Sequence, residues 1–205
     1  MKSATNFLLA AVLVFGTSLA AQESHQVDRA NIFLGYSYLR FSPTITGLSS
    51  RSFNGGGGAV QLNFLKILGL KAEYMGYGTT TFSRTLGGVT YNASANMSTF
   101  LAGPVFRIPL WRVKPFGEVL FGVSHTDGYV NLHNAIAAGG GAISPTPTQN
   151  PFTLAAGGGV DLAISRHIAI RPAEVNYVLT RYSNPLTSTN NQNNFRYCGG
   201  LILKF

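Results

Sequence analysis

Cysteine is nearly absent: Cys198 is the only one in 205 residues, which excludes an internal disulfide framework. No base lies near it in sequence, so it reads as a small strand residue rather than a nucleophile. Charge is scarce as well, at 11% of residues against about 25% in an ordinary soluble domain. Acids are scarcest, with 7 Asp and Glu against 15 Lys and Arg and a net charge of +8. The basic residues are scattered, with neither a Lys/Arg run nor a nucleic-acid motif, which argues against nucleic acid and for anionic lipid headgroups or surface phosphates as the counter-charge. His25, His125, His133 and His167 lie too far apart in sequence, and lack the Cys or carboxylate neighbours, to suggest a metal site. The glycine runs at 55–58 and 157–159 lack the Gly-Lys-Ser/Thr ending and following helix of a phosphate loop. No cofactor is expected, and beyond the N-terminal run no useful helical periodicity is found.

That run is the first positive feature. Lys2 precedes the apolar stretch FLLAAVLVF at 7–15, followed by the small residues of TSLAA at 17–21, the pattern of a cleaved secretory signal. It is too short to span a bilayer as a helix. The expected organisation is a signal peptide at 1–20, with cleavage after Ala20 or Ala21, a short periplasmic segment at 21–30, and one domain at 31–205. No Cys follows the cut, so a lipid anchor there is not expected.

Eight alternating segments fill the domain, near 31–41, 55–66, 68–80, 98–109, 114–126, 151–165, 167–181 and 194–205. Most reach the roughly 9–11 residues with which a tilted strand crosses a bilayer. Short turns separate the second from the third, the fourth from the fifth and the sixth from the seventh. Long polar stretches at 42–54, 81–97, 127–150 and 182–193 separate the others and read as loops, the Ala/Gly run at 136–143 included. Alternation of short turns and long loops is the layout of an antiparallel up-and-down transmembrane β-barrel. Asn92-Ala93-Ser94 and Asn96-Met97-Ser98 match the glycosylation triplet and are read as coincidence in such a chain.

Eight strands also describe a soluble lipocalin-like barrel, and the charges distinguish the two. One parity carries Lys71, Glu73, Arg107, Glu118, Asp161, Arg171, Glu174, Arg196 and Lys204, with Ser37, Gln61, Asn63 and Asn176. Five cations against four anions suit a closed lumen in which each ion finds a partner. The opposite parity carries ridges such as Val119, Phe121, Val123 and Leu201, Leu203, Phe205, which suit lipid. The seventh segment changes phase around Pro172, and a bulge at Pro172–Ala173 would bring both Arg171 and Glu174 inside. Trp111 and Phe205 at the turn rim, with Tyr36, Tyr38, Tyr177 and Tyr197 along the strands, are candidates for interfacial girdles.

The signal run, the strand FLGYSYLRF, the alternating connections and the terminal YCGGLILKF together resemble the OmpA-like eight-stranded outer-membrane β-barrel family, in its single-domain form. The resemblance implies a chain in the bacterial outer membrane, in contact with its lipid and lipopolysaccharide and acting as a monomer. It also implies that Tyr197, Leu201, Leu203 and Phe205 form the signal read by the barrel-assembly machinery. No peptidoglycan-anchoring domain is expected after them. The implied role is non-enzymatic: envelope integrity or surface interaction through long extracellular loops around a side-chain-filled lumen. Two alternatives stay open, a narrow small-solute channel and a lipid A-modifying acyl hydrolase. Ser124 and His125 prompt the latter, but adjacent strand residues point to opposite faces.

Overall fold

The computed structural model describes residues 28–42, 50–139, 150–181 and 191–205; the expected signal peptide lies outside them. Eight strands alternate in direction: β1 (Ala30–Phe41), β2 (Arg51–Asn63), β3 (Leu68–Leu86), β4 (Val89–Arg107), β5 (Val113–Thr126), β6 (Phe152–Ala163), β7 (Ile168–Arg181) and β8 (Asn191–Lys204). Each pairs antiparallel with its sequence neighbours, and β8 closes on β1 into a barrel. Closure runs from Asn31↔Lys204 to Arg40↔Phe195. It is completed by Ala30 N–H donating to the Phe205 carbonyl at 3.2 Å and Phe205 N–H to the Ala30 carbonyl at 2.8 Å. The last residues therefore leave no open sheet edge, the exposure that makes lone strands prone to aggregation.

The two ends differ. Both barrel ends of the chain and the three short connections, 64–67, 108–112 and 164–167, share one end, the turn end. The opposite, loop end carries two ordered elements where loops are expected from the sequence. Residues 81–97 are not a loop: β3 and β4 continue beyond the barrel wall and pair to Leu86↔Val89. The two-residue turn uses Gly87 at φ +58 and Gly88 at φ +81, the two positive φ values that a type I′ hairpin requires. The stretch 127–150 is not all loop either, because α1 (Gly128–Ala138) occupies its first part. α1 packs on β4, burying Ile136, and Asn131 Nδ2 donates to the Ser94 carbonyl at 2.7 Å. The Asp127 carboxylate leaves the helix amides and accepts the Asn96 N–H at 2.7 Å, tying the helix start to the hairpin. Asn92 and Asn96 of the two glycosylation-like triplets lie on β4.

The sheet is inverted relative to a water-soluble one. Leu120 is 0% exposed while its neighbour Phe121 is 53% exposed. The same alternation leaves Leu34, Val60, Leu62, Phe100, Phe106 and Leu201 outward. Lys71, Glu73, Glu118, Glu174 and Arg196 lie inward and buried. An apolar belt around a charged interior is the arrangement of a membrane-spanning barrel. Tyrosine hydroxyls on the outer face bond to strand polar groups: Tyr36 to Asn54 Oδ1 at 2.5 Å, Tyr38 with Ser52 at 2.8 Å and Tyr177 to Asn193 Oδ1 at 2.6 Å.

One bulge sets the inner face of β7. Opposite β6 the register passes from Val160↔Ala173 to Leu162↔Ile170, and opposite β8 from Glu174↔Cys198 to Arg171↔Gly200. Each neighbour thus sees one extra residue around Pro172, at Arg171–Pro172 opposite β6 and at Pro172–Ala173 opposite β8. Pro172 has no N–H to lose from the ladder, and its carbonyl accepts the Tyr197 hydroxyl at 2.5 Å.

Candidate functional site

The barrel interior holds the chain's concentrated chemistry. Strand alternation aims Lys71 and Glu73 inward from β3, Glu118 from β5, Glu174 and Asn176 from β7 and Arg196 from β8, all buried. Lys71 Nζ lies 2.9 Å from Glu73 Oε2, 3.0 Å from Glu118 Oε2 and 3.1 Å from Glu174 Oε2. Arg196 pairs with Glu73 and, through Nη2, with Glu174 Oε1 at 3.2 Å. Asn176 Nδ2 donates to Glu118 Oε1 at 3.1 Å and Glu174 Oε1 at 2.8 Å. Gly157, which faces both Glu118 and Asn176 in the ladder, makes room for this cluster. A Cβ there would strike the Val175 carbonyl oxygen and Asn176 Oδ1.

The bulge extends the network towards the turn end. Arg171 Nη1 lies 2.6 Å from Glu174 Oε2, while its Nε and Nη2 hold Asp161 at 2.7 and 3.1 Å. That bidentate grip is the strong form of an arginine–carboxylate pair. The Arg171 guanidinium also lies 4.9 Å from the ring centre of Phe33 and 4.3 Å from that of Phe116, within cation–π range. Arg107 Nη2 adds contacts to Asp161 and Gln61, each at 3.3 Å. Eight of the nine charged residues expected in the lumen are thereby joined. Lys204 is buried at the turn end and takes no part in these ion pairs.

Two features of the interior escaped the sequence reading. One is the Lys114–Asp28 pair at 3.0 Å, which joins residues from outside the selected set. The other is that the lumen is not ionic throughout. Leu39, Phe41, Phe53, Tyr77 and Met97 are buried together in the loop half, with Phe41 and Phe53 in edge-to-face contact at 5.8 Å. Inward parity on β1 and β2 identifies Leu39, Phe41 and Phe53, but selecting by charge passed over them.

Chemically, this interior pairs ions and fills space. Glu73, Glu118 and Glu174 bring oxygens within 4.8 Å of one another, a carboxylate set of the kind that holds divalent cations. The Lys71 ammonium, within hydrogen-bonding distance of all three, supplies that positive charge itself. On the turn side of Lys71, a residual void of about 10 Å³, lined by Phe33, Gln61, Lys71 and Arg171 among others, is room for about one water. Ser124 and His125 do not meet. Ser124 Oγ bonds Thr153 Oγ1 at 2.7 Å inside the barrel, while exposed His125 bonds Asn150 Oδ1 at 2.7 Å through Nδ1. At the C-terminal strand, Leu201, Leu203 and Phe205 project outward and Tyr197 is half-buried on the same parity.

No family model and no curated protein matches the chain. Solved structures do. Neisserial surface protein A matches at a TM-score of 0.60 and 12% identity, over 86% of this chain and 97% of that one. Outer membrane protein OprG of Pseudomonas aeruginosa matches at 0.58 and 15%, over 86% and 95%. At such identities the likeness is one of fold. The chain has the eight-stranded outer-membrane barrel fold, with its lumen filled by the network described above.

Proposed function

We propose that this outer-membrane barrel is a non-enzymatic envelope protein, in which the filled lumen is a structural plug and the loop end makes surface contacts. The observation that carries the reading is the interlocked Lys71, Glu73, Glu118, Glu174, Arg171 and Arg196 cluster, bounded on the loop side by the Leu39, Phe41, Phe53 and Tyr77 layer. Eight strands leave an interior just wide enough for side chains to fill. Moving an ion through it requires separating buried pairs, each costing about 3–5 kcal/mol when a partner is lost. The separation of Ser124 from His125 favours this reading over acyl hydrolysis.

The working surface is then the hairpin of β3 and β4 with α1 against it, rich in exposed Thr and Asn. Lipid and lipopolysaccharide contact the outer belt, the chain acts as a monomer, and Tyr197, Leu201, Leu203 and Phe205 serve as the insertion signal for the barrel-assembly machinery. Single-channel recording in planar bilayers tests the plug. The expected trace has no steady conductance; a stable open level in the wild type, abolished by substitution of a lumen residue, would establish the small-solute channel instead.

A further inference from the structure

The three short turns share a composition. Each sets one exposed cation among exposed apolar residues: Lys66 among Phe64, Leu65 and Ile67; Arg112 beside Leu110 and Val113; Arg166 between Ile164 and Ile168. Arg29, also exposed, adds a fourth cation at the same end. The described side-chain carboxylates there, Asp28 and Asp161, are already engaged by Lys114 and by Arg107 with Arg171. The rim is therefore cationic and greasy at once, the composition of a surface held at a headgroup layer by long side chains that reach out of the apolar zone.

Around Arg29 the rim becomes a recess. The Arg29 carbonyl accepts the Asn63 N–H at 2.9 Å, and Asn63 Nδ2 donates to the Asp28 carbonyl at 2.5 Å. These bonds dock the incoming chain beside the turn between β2 and β3. The resulting open groove, of about 460 Å³, is lined by Arg29, Leu62, Asn63, Phe64, Leu65 and Lys66. Among the described residues, neither the Arg29 nor the Lys66 side chain has a carboxylate partner. Leu62 at 49% and Phe64 at 62% exposure continue the groove into the outer apolar belt. Two cations at a rim with apolar walls leading into the membrane match one ligand chemistry: a phosphate diester carrying acyl chains.

We propose that this groove binds an anionic phospholipid of the leaflet at the turn end, with its phosphate between Arg29 and Lys66 and an acyl chain along Leu62 and Phe64. The site rests on the membrane-spanning reading and is independent of whether the lumen conducts. The test uses the full chain folded in mixed micelles with equimolar phosphatidylglycerol and phosphatidylethanolamine, and native mass spectrometry to count retained lipid. Each basic residue near an anionic surface is worth a factor of about five, so the wild type should favour phosphatidylglycerol by about tenfold or more. R29Q/K66Q should lose that preference, while R112Q/R166Q, which leaves the groove intact, should keep most of it. K66R, which retains the charge, guards against loss of fold and should behave as wild type.

Three outcomes overturn the site: a wild type without preference, a preference that survives R29Q/K66Q, or equal losses in the two double variants. Glycerol phosphate displacing phosphatidylglycerol at comparable concentration would also overturn it, since that marks a simple anion site without an acyl chain. A wild type showing strand circular dichroism in micelles but no lipid preference sinks the groove and leaves the barrel. One that never folds in micelles sinks the barrel itself.

Discussion

Lys71 holds the lumen together at the scale of one residue. It is within 3.1 Å of three carboxylates that lie within 4.8 Å of one another, so its loss leaves those anions buried and undercompensated, with Arg196 the main remaining cation. Lys71→Met keeps the side-chain length and removes the charge. It should cost about 3–5 kcal/mol, read as a lowered urea midpoint for protein refolded in vesicles. Exposed Arg112, which only lies over the Trp111 ring at 4.4 Å, should change stability by about 0.5 kcal/mol or less on the same substitution. Equal losses for the two would mean that the cluster contributes no more than a surface charge. Strand parity made most of this cluster legible in the sequence, because a period of two gives every inward charge the same phase. The distances were not legible, since they depend on which strands face one another across the lumen. Asp28 was missed because it precedes β1 and reaches Lys114 only through barrel closure.

At the scale of the element, the strands that touch lipid were readable and those beyond it were not. The lipid-facing stretches must alternate between apolar and polar, and that constraint writes their pattern into the sequence. Once β3 and β4 rise past the barrel wall, one face of the extension exposes Thr81, Thr85, Thr90, Ser94 and Asn96, while the opposite face of β4 buries only the small Ala93 and Ala95, so the strong apolar phase fades. Thr-rich, Asn-rich sequence then reads as loop although β-branched residues favour strands. α1 was missed for a related reason. Its stability comes from docking Ile136 and Asn131 onto β4 rather than from propensity in an isolated segment. The phase break at Pro172 was visible because it lies within the lipid-facing region, where parity must be restored. The hairpin predicts its own weak point. Gly88 at φ +81 occupies a conformation that a β-branched residue rarely adopts, so Gly88→Val should loosen the extension alone. Amide hydrogen exchange should rise across 79–96 while amides in the lower halves of β3 and β4 stay protected. Global loss of protection would show instead that the extension and barrel fold as one unit.

For the whole molecule, the decisive property is the direction in which the sheet faces. The lumen network and the outer belt are two consequences of one alternation, so neither can be reversed without the other. A soluble eight-stranded barrel of the same topology would bury Phe121 and expose Arg107, Glu118 and Arg171; here Phe121 is 53% exposed and the three charged residues are 9% exposed or less. Topology is common to both kinds of barrel, so the difference lies in the solvent each face meets, and a charge placed on the outer face measures that solvent. Phe121→Arg adds a cation in the middle of β5 on the belt, where lipid contact should cost about 2–4 kcal/mol near the bilayer midplane. The expected result is a marked drop in protein recovered folded in the detergent-extracted membrane fraction, with Phe121→Leu close to wild type. If Phe121→Arg instead gives a folded product that remains in the aqueous fraction without detergent, the outer face is not lipid-facing and the membrane reading fails with it.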